Sequence, residues 1–404
     1  MPLTPVADAL ALLLSQATAS PSETVSLNEA HGRVLAQDLV ALRTQPPDDV
    51  SAMDGYAVHA ADVAFLGAQL KVIGEVAAGH PFDRAVARGE AARIFTGGVV
   101  PKGADTVIIQ EDVTRGGDTI VVNEAGRPGR HIRRAGIDFT EGTALLAKGR
   151  CLTGRDVMLA AAMNHPRVLV HRRPNVAILA TGDELVAPGQ TPGPGQIVYS
   201  NGYGVIALAR AEGADVINLG IAPDKLDVIV ASIRKAKNAG ADVLVTTGGA
   251  SVGDHDLMQQ AFAAEGVTPS FWRIAMRPGR PLMHGRLGAM HILGLPGNPV
   301  SSYVCSVLFL VPLLRKLSGR SDVEHQTESA VLGGALPAND ERADYLRAIL
   351  TPGQNGGSPV ATPVPVQDSS LMAPLAKAHC LLVRAPFVPA AAAGETCRIV
   401  KLPL

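Results

Sequence analysis

The middle of the chain is built from runs of consecutive apolar residues separated by segments of helical spacing. NVAILATGDEL starts at residue 175, ADVINLGI at 214, ADVLVTTGG at 241 and MHILGL at 290. Such uninterrupted apolar runs suit strands covered on both faces, where alternation is not needed. Residues 201–212 and 225–239 have helical spacing, and 301–317 form a long apolar helix. Strands alternating with helices predict a parallel sheet. Three of its strands run into polar or glycine-rich loops, TGDE, TTGGASVGDHD and LPGNPVS. In open α/β sheets ligands bind outside the carboxyl ends of the strands. Three such loops on one edge point to a site more firmly than any one alone.

The loop after ADVLVTT is the richest in chemistry. Gly248 and Gly249 let the backbone turn sharply and bring N–H groups close to a ligand. Gly253 adds a second flexible point, Ser251 a hydroxyl, and Asp254 and Asp256 two carboxylates. Backbone N–H groups suit phosphate oxygens and carboxylates suit a hard cation such as Mg²⁺. A tight turn before an acidic helix start would have the same composition. Thr181, Gly182, Asp183 and Glu184 form the first loop, and Pro296, Gly297 and Asn298 the third.

Outside this region the pattern is different. Residues 6–17 read as an amphipathic helix and 23–27 as a short strand, and Pro46-Pro47 breaks any regular element. From 69 to 122 short strands alternate with Gly/Pro turns, which predicts an all-β module. SAMDGYAV, with an Asp-Gly turn at Asp54, precedes it, and Thr96-Gly97-Gly98 lies within it. Arg127, Arg130, Arg133 and Arg134 then make a basic run that is either an oxyanion site or a solvated loop. Asp138 follows as a possible partner for Arg134. Residues 153–163 form a helix with a Thr cap, and 321–404 read as a small β-barrel.

Composition narrows the class. A chain of 404 residues with 47% apolar content divides into two to four domains. A formal charge of −1 gives no bulk basic field for nucleic acid. The four cysteines form no C-x-x-C pair and read as reduced thiols of a cytoplasmic protein. No charged signal-peptide start is present. The strongest apolar run, 307–314, is short and holds Pro312, so no membrane span is expected.

The motifs SAMDGYAV, TGG, RRAGID, TGDEL, TTGGASVGDHD, RPGRP and LPGNPVS, in that order, resemble the molybdopterin molybdenumtransferases, the MoeA-type family that includes the gephyrin E domain. The resemblance implies an elongated N-terminal region (1–50 with 141–170), a β module (51–140), an α/β molybdopterin-binding domain (171–319) and a C-terminal β-barrel (320–404). It implies a Mg²⁺-dependent enzyme that takes adenylylated molybdopterin and molybdate and releases AMP. It also implies a homodimer whose site lies between the α/β domain of one subunit and the β module of the other. By position, Asp54, Thr96, Asp138, Glu184 and Asp242 fall on catalytic residues of the family and Asp256, with Glu184, on the metal site. Arg277, Arg280, Arg342 and Ser369 fall where molybdate is held. Asp242, however, opens its strand, far from that strand's carboxyl end.

The chain departs from the family pattern around the molybdate region. RPGRP carries arginines where lysines are usual, Tyr199 stands where Asp or Asn is common, and ERADY and QDSS are altered forms of their motifs. The alternative is therefore a molybdopterin-nucleotide binding or carrier protein that has lost the insertion step. A scaffold role lacks any extra domain to support it. A pterin adenylyltransferase would need neither SAMDGYAV nor the barrel.

Overall fold

In the computed structural model, which describes residues 3–248 and 257–402, the central sheet has six strands. Asp215–Ala222, Asn175–Thr181, Val243–Thr247 and Met290–Leu295 lie side by side and parallel, as the alternating pattern predicts. Met283–Leu287 and Thr268–Trp272 continue the sheet antiparallel. Val243–Thr247 is buried along its whole length, which is why its sequence does not alternate. Ile178, Val245 and Leu293 face one apolar cluster, and Leu179, Leu244 and Ile292 the other. The register sets Ala180 opposite Thr247 and Thr247 opposite Leu295. The three polar loops therefore leave the sheet at one level.

The long apolar helix starts earlier than its composition indicates, at Pro299, and runs to Leu317. Asn298 is its N-cap and Pro299 occupies the first turn, where its missing N–H costs nothing. Ser306–Leu310 widen into a π turn just before Pro312. Proline removes one helical hydrogen bond and crowds the carbonyl four residues back, and the wider turn makes room for it. By length and composition this helix could cross a membrane, unlike the shorter run read from sequence, but 83% of its apolar window is buried inside the protein. The helix Val6–Ser15 packs beside it through Ala9 and Leu13 in the same cluster. Tyr345, Leu381 and Leu402 reach that cluster from the C-terminal region.

Three further units surround this core. Ser22–Ser26 pairs antiparallel with Arg167–His171, which joins residues near the N-terminus to residues past 160 around Leu35, Leu152 and Met163. Gly154–Ala162 is capped by Thr153 and Asp156 in a reciprocal box. Six strands between 55 and 122 form a sheet with apolar clusters on both sides. In the C-terminal region, Ala343–Thr351 pairs with both Val360–Pro363 and Cys380–Arg384. Five strands thereby close into a barrel around Leu332, Ala348, Leu382 and Ile399. All four cysteines are free thiols.

His284 and His291 form a buried pair on the antiparallel edge, with Nε2 of the first 3.1 Å from Nδ1 of the second. Burial pushes His284 down to about 3, helped by the facing His291, and His291 down to about 4, helped by Arg286. Both pKa values lie below the ordinary 6.5. The stability conferred by keeping the pair neutral is thus complete above pH 6.5 and is lost as pH falls toward 4. Urea midpoints measured across that window should fall for the native chain. The fall should be shallower, by about 1.4 kcal/mol per pH unit for each imidazole, in His284→Gln/His291→Gln; equal slopes would show that the pair does not titrate this way.

Candidate functional site

The three level strand ends border a cleft of about 470 Å³ lined by Thr181, Glu184, Thr247, Gly248, Gly297 and Asn298, with Ser370 and Met372 from the barrel side. Gly248 has φ +94°, and a Cβ there would press into the carbonyl of Thr181. Only glycine lets the second loop approach the first so closely. Gly182 is the turn over which Glu184 folds its carboxylate; Glu184 is exposed, and that carboxylate has no hydrogen-bond or ion-pair partner among the described residues. Asp183 faces away and accepts the Asp224 amide at 3.1 Å, tying its loop to the neighbouring strand end.

The third loop is fixed by side chains from two directions. Asn201 Nδ2 donates to the Gly297 carbonyl at 2.7 Å, and Asn298 Nδ2 donates to Ser369 Oγ at 2.9 Å. The Val300 amide donates to the Ser369 carbonyl at 3.1 Å. Ser369 is thus docked on the α/β sheet by the third loop. Its own loop is shaped by Arg347, which is buried and donates to Gln367 and to the carbonyls of Val366 and Leu371.

Tyr199 and Thr247 are among the cleft side chains not named as site residues from sequence. Their hydroxyls are buried and approach one another, and neither makes a well-formed hydrogen bond among the described residues. A Cβ at residue 202 would overlap the Tyr199 hydroxyl, so Tyr199 requires Gly202 in the first turn of the helix Asn201–Ala211. Tyr199 is one of the departures from the family pattern. Glycine two residues after its own successor was the available signal that this tyrosine points inward.

The arginines of the RPGRP segment differ in commitment. Arg277 forks onto Asp344 at 2.8 and 2.6 Å and reaches Asp340 at 3.4 Å. Arg342 holds Asp340 at 2.7 Å, and this bond with the Arg342 amide lowers the Asp340 carboxyl to about 2. Arg280 is exposed and its side chain has no partner among the described residues. The family resemblance puts both Arg277 and Arg280 where molybdate is held, each able to offer a fork to an oxyanion. The Arg277 fork is instead occupied by a carboxylate of the barrel, because Met276–Arg277 pairs with Ala343–Thr351 at residues 343 and 344.

Asp242 sits at the opposite edge. It precedes Val243–Thr247 and accepts from both terminal nitrogens of Arg172 at 2.9 and 3.0 Å and from the Asn175 amide at 2.7 Å. Five residues at about 3.3 Å each separate it from Thr247, roughly 17 Å. The structure does not bring it to the cleft; it joins the starts of two strands. Gly249, Ser251, Gly253, Asp254 and Asp256 lie outside the described residues.

Asp54 adjoins the strand Gly55–Val58, Thr96 follows Glu90–Ile94 and Asp138 lies beside Gln45; none of the three lines the cleft. Gly97 donates to the Ser51 carbonyl and Ser51 to that of Gly98, which seats the TGG turn against the SAMD turn. There the Thr96 amide and hydroxyl both donate to Asp54 Oδ1 at 2.8 Å. Asp138 is exposed, and its amide bonds the Gln45 carbonyl. Arg134 pairs with Asp49, at the far end of the segment, rather than with Asp138. Arg130 pairs with Glu124 and Asp112.

The two Thr96 bonds, the amide first, hold the Asp54 carboxyl below its ordinary 3.8. Asp54 therefore stabilises the fold above pH 3.8 and loses that contribution as pH falls through its lowered pKa. Thr96→Val removes the hydroxyl bond and should move the Asp54 pKa up toward 3.8, read by carbon NMR of the side-chain carboxyl. An unchanged titration would mean that the amide alone sets it.

Residues 4–164 match the MoeA N-terminal region (domain I and II), 177–316 a probable molybdopterin binding domain, and 329–402 the MoeA C-terminal region (domain IV). A molybdopterin molybdenumtransferase of Haemophilus influenzae is 35% identical over 380 residues, covering 94% of this chain and 93% of that one. One from Nostoc sp. is 40% identical over 305 residues, covering 74% and 70%. The crystal structure of the molybdopterin biosynthesis MoeA protein of Pyrococcus horikoshii superimposes with a TM-score of 0.84 at 30% identity, over 99% of this chain and all of that one. With three regions matched in order and relatives similar along nearly its whole length, the chain belongs to the molybdopterin molybdenumtransferase family and is an enzyme of molybdenum cofactor biosynthesis.

Proposed function

We propose that the chain inserts molybdenum into adenylylated molybdopterin: molybdenum from molybdate is placed on the dithiolene and the AMP carried by the molybdopterin is released. The observation that carries this reading is the cleft itself, where the Glu184 carboxylate, with no partner among the described residues, stands among hydroxyls and a glycine turn on three level strand ends. Glycine turns and hydroxyls suit the phosphates of the substrate. Glu184 and Asp256 would hold Mg²⁺, whose contribution is to neutralise phosphate charge; an exposed, unpaired carboxylate fits that ion's preference for oxygen ligands. Arg280, exposed and with a side chain unpaired among the described residues, is the guanidinium of RPGRP that would read molybdate.

The same reading includes a homodimer, in the cytoplasm, with each site completed by the partner. Asp54, Thr96 and Asp138 of one chain do not line its own cleft. The cleft margin also exposes Ile197, Val198, Leu371 and Met372, apolar groups suited to cover by a second subunit. A second reading, a molybdopterin-nucleotide carrier without insertion, is favoured by one observation: Arg277 and Arg342 are already paired with Asp344 and Asp340. AMP release measured with and without molybdate separates the two, since the carrier releases none in either case.

Glu184→Ala or Asp256→Ala should reduce Mg²⁺-dependent AMP release by about a hundredfold with circular dichroism unchanged. Unaltered Mg²⁺ dependence in both variants would remove them from the metal site. Mixing Asp54→Ala with Asp256→Ala subunits should restore activity, because one of the two shared sites in each mixed dimer is whole. Verified mixed dimers without recovery would rule out a site shared between subunits.

A further inference from the structure

At the amino-terminal edge of the central sheet, opposite the cleft, lies a cavity of about 260 Å³ that shares no lining residue with it. Its walls come from distant parts of the chain: His31 and Arg33, His171 and Arg173 just before the strand Asn175–Thr181, Arg210 at the end of a helix, and Arg320 after the long apolar helix. Positive charge predominates. Glu212 is the carboxylate of the wall, and it is shared by Arg315, at 2.9 and 2.8 Å, and Arg320, at 2.9 Å. Arg320 also binds Asp322, and Arg33 pairs with Glu23. Arg173 donates only to the Gly213 carbonyl at 3.0 Å, and the Arg210 side chain has no partner among the described residues. Five guanidinium groups thus face three carboxylates, and the excess sits on Arg173 and Arg210.

His171 on the wall is committed to the protein: its Nδ1 lies 2.7 Å from the Ser20 carbonyl, an acceptor, so Nδ1 carries the proton, and the Nε2 edge of the ring is packed against Gly319. The uncommitted charge is that of Arg173 and Arg210. A tetrahedral oxyanion suits it, since its oxygens accept from guanidinium forks.

We propose that this cavity is a binding site for a small tetrahedral oxyanion such as inorganic phosphate. The bound anion joins the unit around Arg33 to the α/β sheet through Arg173 and Arg210. It does not depend on the reading of the cleft.

The probe is inorganic phosphate, titrated calorimetrically and by thermal melting of the full chain against sodium chloride of equal ionic strength. Binding of one phosphate per chain with a rise in melting temperature beyond that of chloride is expected. Arg210→Gln, which breaks no described contact, and Arg173→Gln/Arg210→Gln should weaken that binding by roughly tenfold or more, while Arg280→Gln at the cleft side keeps it. Sulfate, a tetrahedral oxyanion with the same acceptors, should bind there too and lose affinity in the same variants. A melting shift no larger than that of chloride, or binding that persists in folded Arg210→Gln and in the double variant, would overturn the proposal and leave an adventitious ion only.

Discussion

The structure depends on one constraint, the level register of three parallel strands. Hydrogen bonding sets Ala180, Thr247 and Leu295 side by side, so the loops that follow must share one edge. The sheet is sealed on both faces by apolar clusters that include Ile178, Val245 and Leu293 on one side and Leu179, Leu244 and Ile292 on the other. A slip of one residue in Val243–Thr247 would exchange the two sets and displace Gly248 from its contact with Thr181. The chemistry is therefore positioned by burial that is itself indifferent to chemistry.

Charged groups are distributed by the same geometry. At the amino edge Asp242 and Arg172 join two strand starts, and beside them Arg173 and Arg210 border a cavity whose positive charge is not matched. At the carboxyl edge Glu184 faces the cleft, while Arg277 is drawn to Asp344 by the pairing of Met276–Arg277 with the barrel. Arg347 is buried and bonded to carbonyls and an amide rather than to a carboxylate. Burial lowers its pKa, and its bonds shape the loop that offers Ser369 to Asn298. An arginine buried in this way has less to do with binding a ligand than with holding the loop that meets one.

Tyr199 and Gly202 illustrate how a departure from a family pattern is accommodated locally. The tyrosine ring occupies the space of a side chain at 202, and glycine in a helix costs about 1 kcal/mol relative to alanine. The tyrosine sets a buried hydroxyl beside that of Thr247 in the cleft lining, and neither makes a well-formed hydrogen bond among the described residues. The two positions depend on each other, with the consequence inside the site.

Much was legible in the sequence because it is encoded locally. Unbroken apolar runs followed by glycine loops specify buried parallel strands and their ends, the Thr153 box specifies a helix start, and short strands between turns specify the β module and barrel. The order of seven motifs carried the family. Other features depend on which segments meet. Nothing near RPGRP in the chain announces Asp344, nor does the RRAGID run announce Asp49, since both partners come from more than sixty residues away. The apolar helix reads as starting at 301 because its first turn, from Pro299, holds polar Ser301 and Ser302, which only tertiary packing buries. Asp242 shows the division most clearly: its motif position associates it with a site, yet the direction of the strand it opens puts it at the far edge. Local sequence determines what each segment can form, and long-range pairing decides which charges are left free to act.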